Sequence, residues 1–196
     1  MRRKPAEDRK AEIVAALLVL ADRLGPDRVT TGAVAAEVGV TQAALFRHFS
    51  TKAALWQAAA AHLAARLQAG WAHALATADV PTGRLRALTA AQFALIAGTP
   101  ALPMLLFSRE LRLDNPELRA TFRGCLDSFL ALLTHEVAAA QAGGGLTRAV
   151  ADGDAAALLA AVVQGVAIRW TLSARDFDLV AEGGRLVDVQ LRLLAG

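Results

Sequence analysis

Tyrosine is absent from this 196-residue chain, cysteine occurs once, and aromatic residues make up only 5% of it. A single cysteine excludes an internal disulfide and fits a reducing compartment. Strand-like alternation of any useful length is missing as well, and β-branched residues are scattered. With Ala and Leu dominating a chain that is 55% apolar, the composition predicts an all-α protein. The longest uncharged run, Ala87 to Ser108, nearly reaches membrane-spanning length, but Pro100 and Pro103 interrupt it. Two short buried helices are expected there. The opening "MRRKPAEDRK" lacks the apolar core and small-residue end of a secretory signal, so a soluble, cytoplasmic protein with no membrane partner is expected.

Chemistry-bearing groupings are equally scarce. There is no Gly-rich phosphate loop, and no Ser/His/Asp or paired-carboxylate spacing stands out. His62 and His73 stand eleven positions apart, about 16 Å along a helix, which is too far to share an ion. Cys125 has no neighbouring CxxC or histidine and fits inert core. Neither catalytic residues nor a metal nor a cofactor is expected, and the chain is not expected to be an enzyme.

What the chain does have is an uneven charge. The net charge is +3. Residues 1–52 hold nine Lys/Arg against six Asp/Glu, whereas residues 53–196 hold twelve of each. A positive excess confined to one end suits a segment that meets a polyanion, although a solvated tail explains "MRRK" by itself.

Breakers and caps divide the chain into helices. Ile13, Leu17, Leu20 and Leu24 predict a first helix over 7–24, stopped by Gly25-Pro26. A second is predicted over 31–38, with Thr30 or Thr31 as N-cap, and Gly39 follows it as a left-handed residue. Thr41 then caps a very short helix to about His48, and Ser50 or Thr51 caps a long one to about Ala76. Further helices are expected over 84–97 and 101–111. Asn115 then caps another, with Pro116 at its first position, running to about Gln141. The last two are expected over 155–174 and 179–194.

Two short helices joined by a tight glycine turn, mounted on longer ones, form a helix-turn-helix pattern. In it the second helix must be short and exposed, so that its leading side chains enter a major groove about 12 Å wide. Thr41 can cap that helix and also donate to a phosphate. Gln42 carries an amide suited to an adenine edge, Arg47 reaches guanine or phosphate, and His48 and Lys52 lie where the duplex backbone would pass. Taken singly each has a plainer role: Thr31 and Thr41 as caps, Gln42 as a solvated amide, His48 as a half-buried histidine. Phe46 and Phe49 suit packing in either case. The combination is more specific than any member.

The segment "TTGAVAAEVGVTQAALFRHFSTKAALW" resembles the DNA-binding region of the tetracycline-repressor (TetR) family of bacterial transcription regulators, over roughly residues 10–57. The resemblance implies a three-helix DNA-binding head over 1–52, a divergent helical ligand-binding and dimerisation body over 53–196, and a homodimer. By position, it implies phosphate contacts from Thr31, Thr41, His48 and Lys52, with Gln42, Ala43 and Arg47 facing bases or their flanks. Phe46 stands where the family often has tyrosine. The phenolic phosphate contact is therefore missing, which leaves Phe46 to pack or to touch a thymine methyl.

Body residues give compositional signals only. Phe93, Leu95, Met104, Phe107, Phe122, Leu126, Phe129 and Trp170 can surround an effector cavity, with Gln164, Arg109 and Arg169 as polar orienters. The same set suits plain core. The helix predicted after Asp154 is apolar nearly all round and needs cover on every side. Ala157, Ala161 and Gly165 form a small-residue stripe beside Leu158, Val162 and Ile168, and Val180, Val187, Leu191 and Leu194 do the same on the last helix. A four-helix interface between two copies is expected, with burial inside one subunit as the alternative. The function expected is that of a ligand-responsive repressor that binds a pseudo-palindromic operator on double-stranded DNA as a homodimer. A small, mainly apolar effector releases it. A constitutive regulator or activator with a filled body is the alternative.

Overall fold

The computed structural model describes residues 6–106, 108–109 and 115–195. Among these the chain is built from α-helices and one short 3-10 turn, with no strand. The helices are α1 (Ala6–Leu24), α2 (Thr31–Glu37), α3 (Gln42–Phe46), α4 (Lys52–Ala76), α5 (Pro81–Ala97), α6 (Ala101–Leu106), α7 (Pro116–Ala142), α8 (Asp152–Leu172) and α9 (Leu179–Ala195). Two compact units result: Met1–Ala64 with Thr99–Phe122, and Ala65–Gly98 with Arg123–Gly196.

In the first unit α1 presents Ile13, Leu17, Leu20 and Ala21 to the core, all 2% exposed or less. Each large side chain so buried is worth about 1.5–3 kcal/mol. Gly25 ends α1 at φ +84°, and Pro26 opens a 3-10 turn over Pro26–Arg28 that the sequence pattern did not announce. Asp27 in that turn accepts from the Arg109 backbone N–H at 2.9 Å. α2 packs on α1 and α3, and α6 packs on α1. Asn115 is almost fully buried and caps α7: its Oδ1 accepts from Leu118 N at 3.0 Å while its Nδ2 donates to Ala53 O at 3.1 Å. One side chain thereby closes α7 and fixes it to the first turn of α4. The part of the predicted 101–111 helix after Leu106 falls largely outside the described residues.

In the second unit α5 lies against α9 and α8, and α8 against α9. α5 begins at Pro81, three residues earlier than the pattern suggested, because proline is well placed at a first helical position. Gly183 of α9 sits where the Phe93 ring passes; a Cβ there would stand 2.4 Å from that ring. Trp71 stacks on Phe129 with ring centroids 5.3 Å apart and donates from Nε1 to Gln92 Oε1 at 3.0 Å. Glu136, 4% exposed, is paired with Arg84 at 2.7 Å, so its charge is not stranded in the core. By length and composition alone α8 is apolar enough to cross a membrane; here one of its faces is covered by α5 and α9.

Candidate nucleic-acid interface

The head is assembled from caps. Thr30 is the N-cap of α2, its Oγ1 accepting from Ala33 N at 3.1 Å. Thr31 is therefore released from that duty. α2 closes at Val38, and Gly39 takes φ +69°, a conformation any side chain would strain. The Val40 N–H returns to Ala35 O at 2.9 Å, which ties off the end of α2 and reverses the chain. Thr41 then caps α3, accepting from Ala44 N at 3.1 Å. Thr51, rather than Ser50, caps α4 by accepting from Ala54 N at 3.0 Å.

α3 is only five residues long, held by its inner side: Leu45 is fully buried and Phe49, just beyond it, is 7% exposed. Thr41, Gln42, Ala43, Phe46 and Arg47 are all exposed, while Thr31, His48 and Lys52 are half-buried. Phe46 leaves 40% of its surface to solvent, so it is not core packing within the protomer. Across the turn Gln42 Nε2 donates to Thr31 Oγ1 at 2.7 Å. This contact joins the first residues of α2 and α3, and no periodicity reports it. Thr31, Thr41, Gln42, Ala43, Phe46 and Arg47 thus lie on these two helices and their junctions, with His48 and Lys52 following α3 and opening α4.

The residues expected to line an effector cavity are distributed differently. Phe93, Phe129 and Trp170 are buried in the second unit, where Leu126 and Gln164 are exposed. Met104 and Phe122 belong to the first unit, and Phe107 lies outside the described residues. Arg169 is bound to Glu182 at 2.6 Å and lies over the Phe177 ring, in the wall of an open cleft of about 520 Å³. Of the expected dimer residues, Ala157, Leu158, Ala161, Gly165 and Ile168 are exposed along α8, Val162 is half-buried, and Val180 is exposed on α9. Val187, Leu191 and Leu194 are turned inward, 5% exposed or less, because the single apolar stripe of α9 closes the core of its own unit. No group of three or more His, Cys, Asp or Glu among the described residues is arranged to hold a metal ion.

Residues 13–59 match the family model of bacterial regulatory proteins, tetR family. That segment is similar to the DNA-binding region of the tetR family. The matched segment runs from the first core residue of α1 to the third turn of α4 and contains the whole helix-turn-helix. Among curated relatives, the nucleoid occlusion factor SlmA of Vibrio cholerae is 29% identical over 113 residues, covering 57% of this chain and 58% of that protein. SlmA of Pasteurella multocida is 25% identical, covering 60% of each. The chain spans about 60% of the length of these curated relatives. Among solved structures, the fatty acid degradation regulator FadR from Bacillus halodurans superposes with a TM-score of 0.77 at 18% identity, over 100% of this chain and 97% of that one. A putative transcriptional regulator from Saccharomonospora viridis in complex with choline gives 0.82 at 19% identity, over 95% and 96%. These superpositions establish the all-α fold: an N-terminal helix-turn-helix followed by a helical C-terminal region.

Proposed function

We propose that this protein is a transcription regulator of the tetR family, a ligand-responsive repressor that binds a pseudo-palindromic operator as a homodimer and is released by a small, mainly apolar effector. The observation that carries the reading is the exposed leading end of α3, where Gln42, Ala43 and Arg47 face outward while Leu45 and Phe49 anchor the helix from behind. In this reading residues 1–52 bind DNA. Gln42, Ala43 and Arg47 meet base edges, Phe46 meets a thymine methyl, and Thr31, Thr41, His48 and Lys52 meet phosphates. Residues 53–196 hold the effector and the dimer contact. The exposed apolar face of α8, formed by Ala157, Leu158, Ala161, Val162, Gly165 and Ile168 with Val180 of α9, supports that contact. The protein then works in the cytoplasm, where its DNA is. FadR from Bacillus subtilis has been solved with stearoyl-CoA and the Saccharomonospora regulator with choline, which supports a small-molecule effector without naming one.

Selection of bound duplexes from a random pool tests this directly. The enriched sequence is an inverted repeat with half-sites one helical turn apart, about 34–36 Å. Lys52 on each of two heads neutralises a phosphate, so log affinity falls against log salt with a slope of about −2 or steeper. No enriched sequence, or a flat salt dependence, overturns the proposal.

A second reading, constitutive binding by a regulator with a filled body, is favoured by the packing of Phe93 against Gly183. Screening of acyl and cationic small molecules separates the two. A released operator together with a raised melting temperature supports the effector reading; operator binding that none of them changes supports the constitutive one.

A further inference from the structure

Thr31 and Gln42 are eleven residues apart in sequence and 2.7 Å apart at Oγ1 and Nε2. Because Thr30 caps α2, the Thr31 hydroxyl is not engaged at the helix end. It accepts one hydrogen from Gln42, and among the described residues it donates to no acceptor. A hydroxyl has one hydrogen to give and two lone pairs, so this one still has a hydrogen for a phosphate oxygen. The Gln42 amide has two hydrogens, of which one is held by Thr31. The other, together with Oε1, remains as an adjacent donor and acceptor. That is the pair that matches N7 and the N6 amine of adenine.

We propose that Thr31 is a positioning residue for base readout: it clamps the Gln42 amide in the plane that reads adenine, and passes its own hydrogen to a phosphate of the same half-site. The proposal rests on the DNA-binding reading and deepens it. A free glutamine at the tip of a helix samples many rotamers and loses that freedom when it meets a base. Here part of the ordering precedes the encounter, which lowers the cost of reading. In open water the bond is marginal. Between the duplex and α2, with water displaced, it strengthens, and the phosphate that orients Thr31 then also orients Gln42. The amide stays exposed at the tip, with Oε1 on the side of Gly32: a Cβ built at that glycine would lie 4.0 Å from it. Phosphate contact and base contact thus become one coupled unit instead of two independent ones.

The test uses the full-length protein, with the operator obtained by selection and a set of duplexes that vary the base facing Gln42. Wild type prefers adenine at that position. Thr31→Val keeps the branched shape but loses the hydroxyl, and discrimination for adenine falls about tenfold. Thr31→Ser restores it. Thr31→Val combined with Gln42→Ala discriminates no worse than Gln42→Ala alone, because the two act through one contact. A Thr31→Val protein that melts like wild type and weakens on every duplex equally is a plain phosphate contact, and the proposal is then wrong. It is equally wrong if base preference is unchanged in that variant, or if wild type shows no preference for adenine there. Wild-type protein that binds no duplex at all sinks the DNA-binding reading as well, so the two failures are distinguishable. Independently of DNA, the Gln42 side-chain amide protons exchange more slowly in wild type and Thr31→Ser than in Thr31→Val; equal rates in all three overturn the clamp.

Discussion

Gly183→Ala is the substitution whose effect the structure sets most tightly. The added Cβ would fall 2.4 Å from Cε2 and Cζ of Phe93 and 2.7 Å from Cδ2. Those separations are well short of the ~3.5–4.0 Å optimum for two carbons. Phe93 is fully buried, so its ring has no route to solvent and α5 or α9 must shift instead. Overpacking of this kind costs about 1–3 kcal/mol, and three ring atoms in contact place it at the upper end. Alanine returns about 1 kcal/mol of helix propensity. The net is a loss of about 2 kcal/mol, or a fall in melting temperature of about 4–8 °C for a chain of this size. Gly124 on α7 is the matched control: it has nothing within 4 Å of its added Cβ, so Gly124→Ala gains about 0.5–1 kcal/mol. Urea titration of both variants at one fixed protein concentration measures the difference as a shift in midpoint at unchanged slope. Adding Phe93→Leu to Gly183→Ala recovers part of the loss. If Gly183→Ala proves as stable as Gly124→Ala, α5 does not lie this closely on α9.

Glu182 accepts from both Arg185 and Arg169, and these bonds lower its pKa to about 2 from an ordinary 4.5. A lowered folded-state pKa stabilises above the unfolded value, so this contribution is complete near neutrality and lost as pH falls from about 4.5 toward 2. Glu182→Gln flattens the acid limb of the stability profile over that window. Thr41→Ala removes the cap of α3 and costs about 1 kcal/mol in thermal unfolding, with a larger relative loss in operator binding. Leu158→Asp and Ile168→Asp, both on the exposed face of α8, shift sedimentation toward monomer while leaving helical content intact; a dimer that persists in both places the interface elsewhere.

The sequence reported its breakers better than its surfaces. Gly25-Pro26, Gly39, Thr41 and Asn115 act within one turn of themselves, through φ or through a hydrogen bond to a nearby N–H, so each announced a boundary that the fold keeps. The resemblance carried the head further, because turn, cap and basic spacing fall in one short run. Facing was harder to foresee. Val187, Leu191 and Leu194 form a correct helical stripe, but periodicity fixes only that they share a side, not whether that side meets its own core or another chain. On α8, apolar nearly all round, the small-residue stripe of Ala157, Ala161 and Gly165 singled out the side that the fold leaves exposed. The Phe93–Gly183 approach and the Thr31–Gln42 bond join residues distant in sequence, and only the folded backbone brings them together.

A helix of five residues has no cohesion of its own in water. α3 holds its shape because Leu45 and Phe49 are gripped by the layer beneath it, so its order is on loan from the rest of the head. Any loosening of that layer, by heat, by a truncated Leu45 or by a mild denaturant, scrambles the recognition tip while most of the chain is still helical. If α3 reads DNA as proposed, affinity for the duplex therefore fails before circular dichroism registers a change.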